Sequence, residues 1–273
     1  MMFNSKTLGI SAVALLISAA CVAPAPGQTF TTVINVPPNP SPASAGFGVQ
    51  VNVRDGGILG VFDSFNGSEV NISGGFVADF FNARSGGVVN ISGGTVGDLF
   101  GAFDGSVVNI SGGSVGELFD AFPGSEVNIS GGFVAGFFGA AAGSEVNLFG
   151  TAFLLDGVPL DGLVLNEAVT ITDRGGAELT GTLADGSAFG FVVSEDLMSL
   201  DFFDADAALT VTLVSTAVIL GDIDQDGDVT FSDIPSFIAA LQSGTFLAQA
   251  DVNQDGEVTF ADIPGFIAIL QAS

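Results

Sequence analysis

Residues 67–85 read GSEVNISGGFVADFFNARS, and two near-copies follow without a gap: GGVVNISGGTVGDLFGAFD (86–104) and GSVVNISGGSVGELFDAFP (105–123). The register extends in both directions, because Asn52, Asn71, Asn90, Asn109, Asn128 and Asn147 stand nineteen residues apart. Such regularity without insertions predicts that each unit packs on the next. The unit is too short for a pair of helices, and its glycines oppose helix formation. In EVNIS the side chains alternate: Val70 and Ile72 point one way, while Glu69, Asn71 and Ser73 point the other. Gly74-Gly75 then permits a corner. A second apolar stretch brings Val77 and the pair Phe80-Phe81, with a further corner near Gly86. One copy cannot cover its own apolar face, but stacked copies can, with Val over Val, Ile over Ile and Phe over Phe. The expectation is a mainly β chain whose residues 46–150 form a parallel β-solenoid of about six rungs. At the spacing of neighbouring strands, six rungs span about 29 Å.

Two columns run along such a rod. The Asn column includes NIS sequons at Asn71, Asn90, Asn109 and Asn128. Their position in the middle of a repeat strand favours a stacked amide ladder on the outside of the rod over glycosylation. Asp79, Asp98 and Glu117 form the second column, read either as a solvated acidic stripe or as a weak cation site. After Asn147 the period stops. Residues 151–217 read as a β cap over the end of the stack, with Asp185-Gly186 turning a hairpin between 179–183 and 188–193. Residues 46–217 resemble the Gly-rich β-solenoid surface proteins of environmental bacteria. That resemblance implies an exported surface protein and names no activity.

Composition narrows the setting. The chain has 273 residues, 30 acids and four bases (Lys6, Arg54, Arg84 and Arg174), for a formal net charge of −26, and no His, Trp or Tyr. A surface this acidic repels nucleic acid and anionic lipid and suits cations. Residues 1–27 read as a secretory signal peptide: Lys6 leads into the apolar run LGISAVALLISAA (8–20), too short for a membrane span. Cleavage after Gly27 fits the small Ala25 and Gly27, and it removes the single cysteine, Cys21. Lipid attachment at Cys21 is the alternative. Residues 28–45 read as a leader strand and a Pro-rich linker.

The C-terminal segment has a different chemistry. DIDQDGDVTFSD (222–233) returns twenty-nine residues later as DVNQDGEVTFAD (251–262). Hard cations such as Ca²⁺ take six to eight oxygens from a loop with acids at positions 1, 3 and 5, Gly at 6 and a carboxylate at 12. Asp222, Asp224, Asp226, Gly227 and Asp233 meet that register, as do Asp251, Asn253, Asp255, Gly256 and Asp262. Position 7 would offer its carbonyl from Asp228 and Glu257. Position 9, Thr230 and Thr259, would act through water. Val229 and Val258 would join the loops as a small β-bridge. Two Ca²⁺ ions are expected, with folding dependent on them. After each loop the apolar residues Ile234, Phe237, Ile238, Leu241 and Ile263, Phe266, Ile267, Leu270 follow helical spacing, with Pro235 and Pro264 in the first turn.

A duplicated loop-plus-helix with Asp at position 12 resembles the type I dockerin domain over residues 221–273. The resemblance implies a calcium-dependent module that docks onto cohesins in extracellular polysaccharide-degrading complexes. The partner would be a cohesin-like or other surface protein. Dockerins commonly carry small polar residues at positions 10 and 11, whereas this chain has Phe231-Ser232 and Phe260-Ala261. The two Phe are read either as contact residues or as core. Two function classes follow. The first is a secreted structural or adhesive rod with a docking module. The second is a dockerin-bearing carbohydrate-active component. The enzyme reading is disfavoured because lyases on β-helices draw on Arg, Lys or Tyr, and beyond residue 27 the chain keeps only three Arg. Its acids also fall in repeat columns rather than around one cleft. A glycan remains a further candidate ligand of the rod, and no membrane span is expected.

Overall fold

The computed structural model describes residues 29–215, 220–223, 229–243, 247, 249–253 and 255–272. The proposed signal peptide, including Lys6 and Cys21, lies outside the described residues. The chain divides into two compact units, one ending at Ser215 and one running from Thr216 to the C terminus.

The first unit is a parallel β-solenoid. Its long strands Val49–Val53, Glu69–Val77, Val88–Val96, Val107–Val115, Glu126–Val134 and Glu145–Leu155 stack in order. Asn52, Asn71, Asn90, Asn109, Asn128 and Asn147 pair directly along the column. A second ladder of two-residue strands, from Ser44–Ala45 to Phe202–Phe203, closes the other side of each rung. Val70, Ile72 and Val77 are buried, as are their counterparts on later rungs apart from the half-buried Val134. Phe62, Phe81, Phe100, Phe119 and Phe138 form a continuous internal column, with stacked centroids 4.9, 4.6 and 5.1 Å apart from Phe81 to Phe138. The SGG corner lies within the long strand as a bulge. Its second glycine must be glycine. Gly94 has φ 74°, and a Cβ there would lie 2.6 Å from the Gly74 carbonyl carbon one rung below.

The stack runs further than the repeat. Thr32–Val36 pairs in parallel with Val49–Val53, which sets Asn35 beside Asn52. At the other end Ala208–Leu213 pairs in parallel with the start of Glu145–Leu155, which sets Thr210 beside Asn147. Between them the chain leaves the stack to build a cap. The hairpin Gly175–Leu183 and Ala188–Ser194 lies antiparallel on the outer half of Glu145–Leu155. Its turn residue Asp185 accepts from the corner N–H of Gly132 at 2.8 Å.

The amides form one unbroken line. Each Asn Nδ2 donates to the Oδ1 of the rung before it, from Asn52 onto Asn35 through to Asn147 onto Asn128, at 2.8–3.0 Å. Thr210 Oγ1 closes the line by donating to Asn147 Oδ1 at 2.8 Å. The ladder is less exposed than an outer column was expected to be: Asn109 and Asn128 are buried, and so is Glu69, whose Oε1 accepts from Gln50 and Asn71. Asn109→Ala removes two ladder bonds and leaves Asn90 Oδ1 without its donor. At about 1 kcal/mol per bond the expected loss is about 2 kcal/mol. For a rod of this size that lowers Tm by about 4–8 °C in a thermal melt.

The acidic column also has a structural use. Asp79 Oδ1 accepts from the N–H of Asp98 at 3.0 Å, and Asp98 Oδ1 from the N–H of Glu117 at 2.9 Å. Each carboxylate thus secures the backbone of the next rung. The Phe80-Phe81 expectation is half corrected. Phe81 is core, but Phe80 is exposed, because the backbone at Phe80 turns left-handed and faces its side chain outward.

Candidate metal centre

The second unit contains two helices, α1 (Asp233–Ser243) and α2 (Ile263–Ala272), each following one acidic loop. They pack through Phe237 and Phe266, whose ring centroids lie 4.2 Å apart, over a small core with Ile223, Ala240 and Ala250. Leu241 and Leu270 join that core, as the apolar spacing anticipated. Ile238 and Ile267 do not: both are exposed. A stripe four residues wide exceeds what two short helices in contact can cover.

The helix starts hold the position-12 carboxylates. Asp233 and Asp262 are fully buried. Asp233 accepts from the N–H groups of Ile223 and Thr230 at 2.6 and 2.8 Å; Asp262 accepts from Asn253 and Thr259 at 3.1 and 2.8 Å. In the second loop Thr259 Oγ1 also accepts from the Ala261 N–H, completing a capping box. Thr230 and Thr259 therefore act as caps. The sequence carried that signal as T-x-x-D, at residues 230–233 and 259–262.

Within the second loop Asp251 accepts from the N–H of Asp255 at 3.0 Å and of Gly256 at 2.9 Å. Asn253 Oδ1 accepts from the Asp255 N–H, and Asp255 accepts from Glu257 N–H and Asn253 Nδ2. Gly256 takes φ 89°, the sharp turn required at position 6. Glu257 is exposed. Of the first loop, Asp222 and Asp233 are placed and both are buried. Asp224, Asp226, Gly227 and Asp228 lie outside the described residues. Val229 and Val258, expected to bridge the loops, form no β-bridge among the described residues; Val258 packs on the core instead.

The donor chemistry fits a hard cation. Four buried carboxylates (Asp222, Asp233, Asp251 and Asp262) share a segment that contains no Lys, Arg or His. In Asp251 and Asp262 each carboxylate oxygen accepts from one backbone N–H, and a carboxylate oxygen has a second lone pair with which it can also ligate a metal. Among the described residues no three acids converge on a single point. Asp251, Asp255 and Asp262 are held against the loop's own N–H groups.

Phe231 and Phe260 are 76% and 79% exposed. This corrects the core alternative: both rings stand outside the helix pair, at equivalent places in the two halves.

No helix among the described residues is long and apolar enough to cross a membrane. No match was found to a curated protein or to a solved structure. The family model for the dockerin type I domain does match, over residues 220–267, so the second unit is similar to dockerin type I domains across both loops and into the second helix.

Proposed function

We propose that this is a secreted or cell-surface structural or adhesive rod carrying a calcium-dependent docking module. The dockerin match over residues 220–267, together with the duplicated ligand register in a segment that contains no Lys, Arg or His, supports this most directly. Two Ca²⁺ ions bind, one through Asp222, Asp224, Asp226, Asp233 and the Asp228 carbonyl. The other binds through Asp251, Asn253, Asp255, Asp262 and the Glu257 carbonyl. The ions neutralise the acids and lock each loop onto its helix. The docked partner is a cohesin-like or other surface protein. It contacts the duplicated apolar face on which Phe231 and Phe260 stand, with Ile238 and Ile267 exposed further along the helices.

Among the described residues no singular catalytic constellation speaks for an enzyme. Arg84 is tied to Asp63 at 2.8 Å and lies over Phe103, and Arg174 donates to the carbonyls of Ile171 and Ala207. Burial pushes the pKa of Asp120 up, but the adjacent rungs of its column carry Gly101 and Gly139, not a second carboxylate.

The test is capture from the native cell envelope by the full chain, with and without calcium. Capture should require calcium. It should fall at least about ten-fold in the Phe231→Ser/Phe260→Ser double variant, since buried aromatic anchors each contribute on the order of 2 kcal/mol. Calcium-dependent circular dichroism should be unchanged in that variant. Capture that is indifferent to both changes would overturn the docking assignment.

A further inference from the structure

The rod has a surface that its own packing does not explain. Val61, Phe80, Leu99, Leu118 and Phe137 recur every nineteen residues and lie one above another on the outside. The column continues at Leu200, although the chain reaches that place only after the cap, because Phe202 pairs with Gly139. Leu200 packs over Gly136, so the apolar position is kept where the repeat has been abandoned. These six side chains are 37–66% exposed. Leu197 and Met198, shortly before Leu200 in the chain, are 79% and 91% exposed.

The backbone at four of these positions is unfavourable for the residues it carries. Phe80, Leu99, Leu118 and Phe137 have φ of 62–63°, the left-handed region. The conformation is required, because it turns the N–H of Phe80 and Leu99 onto the carbonyls of Asp98 and Glu117 in the next rung, both at 2.9 Å. Glycine would adopt it freely, and the same rungs use glycine at their other left-handed positions, such as Gly86 and Gly94. Strained, exposed and apolar side chains repeated at one place point to recognition rather than folding.

The occupant is indicated by charge. Asp79, Asp98 and Glu117 stand beside the column with exposed side chains, and no base falls in either column. A second copy of a chain with net charge −26 would bring like charges together. At the spacing of stacked strands, the five intervals between these six positions cover about 24 Å, the length of about seven residues of extended chain. We propose that this column docks an extended polypeptide segment in which apolar side chains alternate with Lys or Arg. The surface is on the first unit and does not depend on calcium docking by the second.

The test uses the full chain and two fluorescent eight-residue probes of equal charge, one alternating Leu and Lys, the other Ser and Lys. Anisotropy titration should show the Leu–Lys probe binding at least ten-fold tighter. In the double variants Leu99→Gly/Leu118→Gly and Leu99→Asn/Leu118→Asn the ratio should approach one, since Asn also tolerates the left-handed backbone. Tm of the glycine variant should stay level or rise. Equal binding of the two probes to the wild type, or a ratio retained in the variants, overturns the proposal. So does a Tm lowered by many degrees, which would make the column a cover for the stack. Self-association of the wild type that the variants lose, seen by sedimentation, would make the occupant a second copy and equally overturns it.

Discussion

Ile91→Asp abolishes the cooperative unfolding transition of the rod. Ile91 is buried between Ile72 and Ile110 in the middle of the stack. Removing its side chain from the core forfeits about 2–3 kcal/mol of apolar burial. The carboxylate that replaces it has no base within the rod's core, and a buried unpaired charge costs several kcal/mol more. Together these approach the whole stability of an ordinary domain, about 5–15 kcal/mol. In a stacked protein the damage spreads, because each rung is stabilised by its neighbours. Calorimetry of the variant should show no rod transition, while Thr95→Asp, at an exposed position of the same rung, should melt within a few degrees of wild type. A near-normal Ile91→Asp melt would mean that the interior is not the one described.

Chelating calcium removes the helices of the second unit and leaves the rod standing. Residues 221–273 contribute nine acids and no base, and among the described residues five side chains form the buried apolar core. Segments of about 50 residues often need a metal or another staple. Calcium at a thousand times its dissociation constant adds about 4 kcal/mol per site. Two such sites supply about 8 kcal/mol, as much as the stability of many small domains. Without calcium, repulsion among the buried and clustered acids opposes the same collapse. Far-ultraviolet circular dichroism of the full chain in chelator should lose its helical component. Calorimetry should retain a rod transition at an unchanged temperature and lose the calcium-dependent one. Helicity equal with and without chelator would rule out metal-linked folding.

Much of this was legible in the sequence because the rod repeats itself. Six Asn at equal spacing announced one column, and the structure stacks them in register. Asn35 and Thr210 extend that column but stand 17 and 63 residues from their partners, so no fixed period finds them. Stacking needs equal register at the strand, not equal length between strands, and a cap inserted between two rungs leaves the hydrogen bonds intact. Alternation fixed which of Val70, Asn71 and Ile72 faces inward. It failed at Phe80-Phe81, because a left-handed residue breaks the alternation and the composition of the pair does not say which ring is inside. The duplicated loop-plus-helix pattern was readable from its repeat, but the exposure of Phe231, Ile238, Phe260 and Ile267 was not. Apolar spacing along a helix marks residues able to pack, and two short helices leave part of each stripe uncovered.

The most direct measurement is a calorimetric titration of the full chain with calcium. Two ions per chain are predicted, reduced to one by Asp222→Ala and to one by Asp251→Ala, with each variant keeping the other loop partly competent. No binding at about millimolar calcium, weaker than any physiological loop of this kind, would contradict the assignment and leave the C-terminal segment an acidic tail.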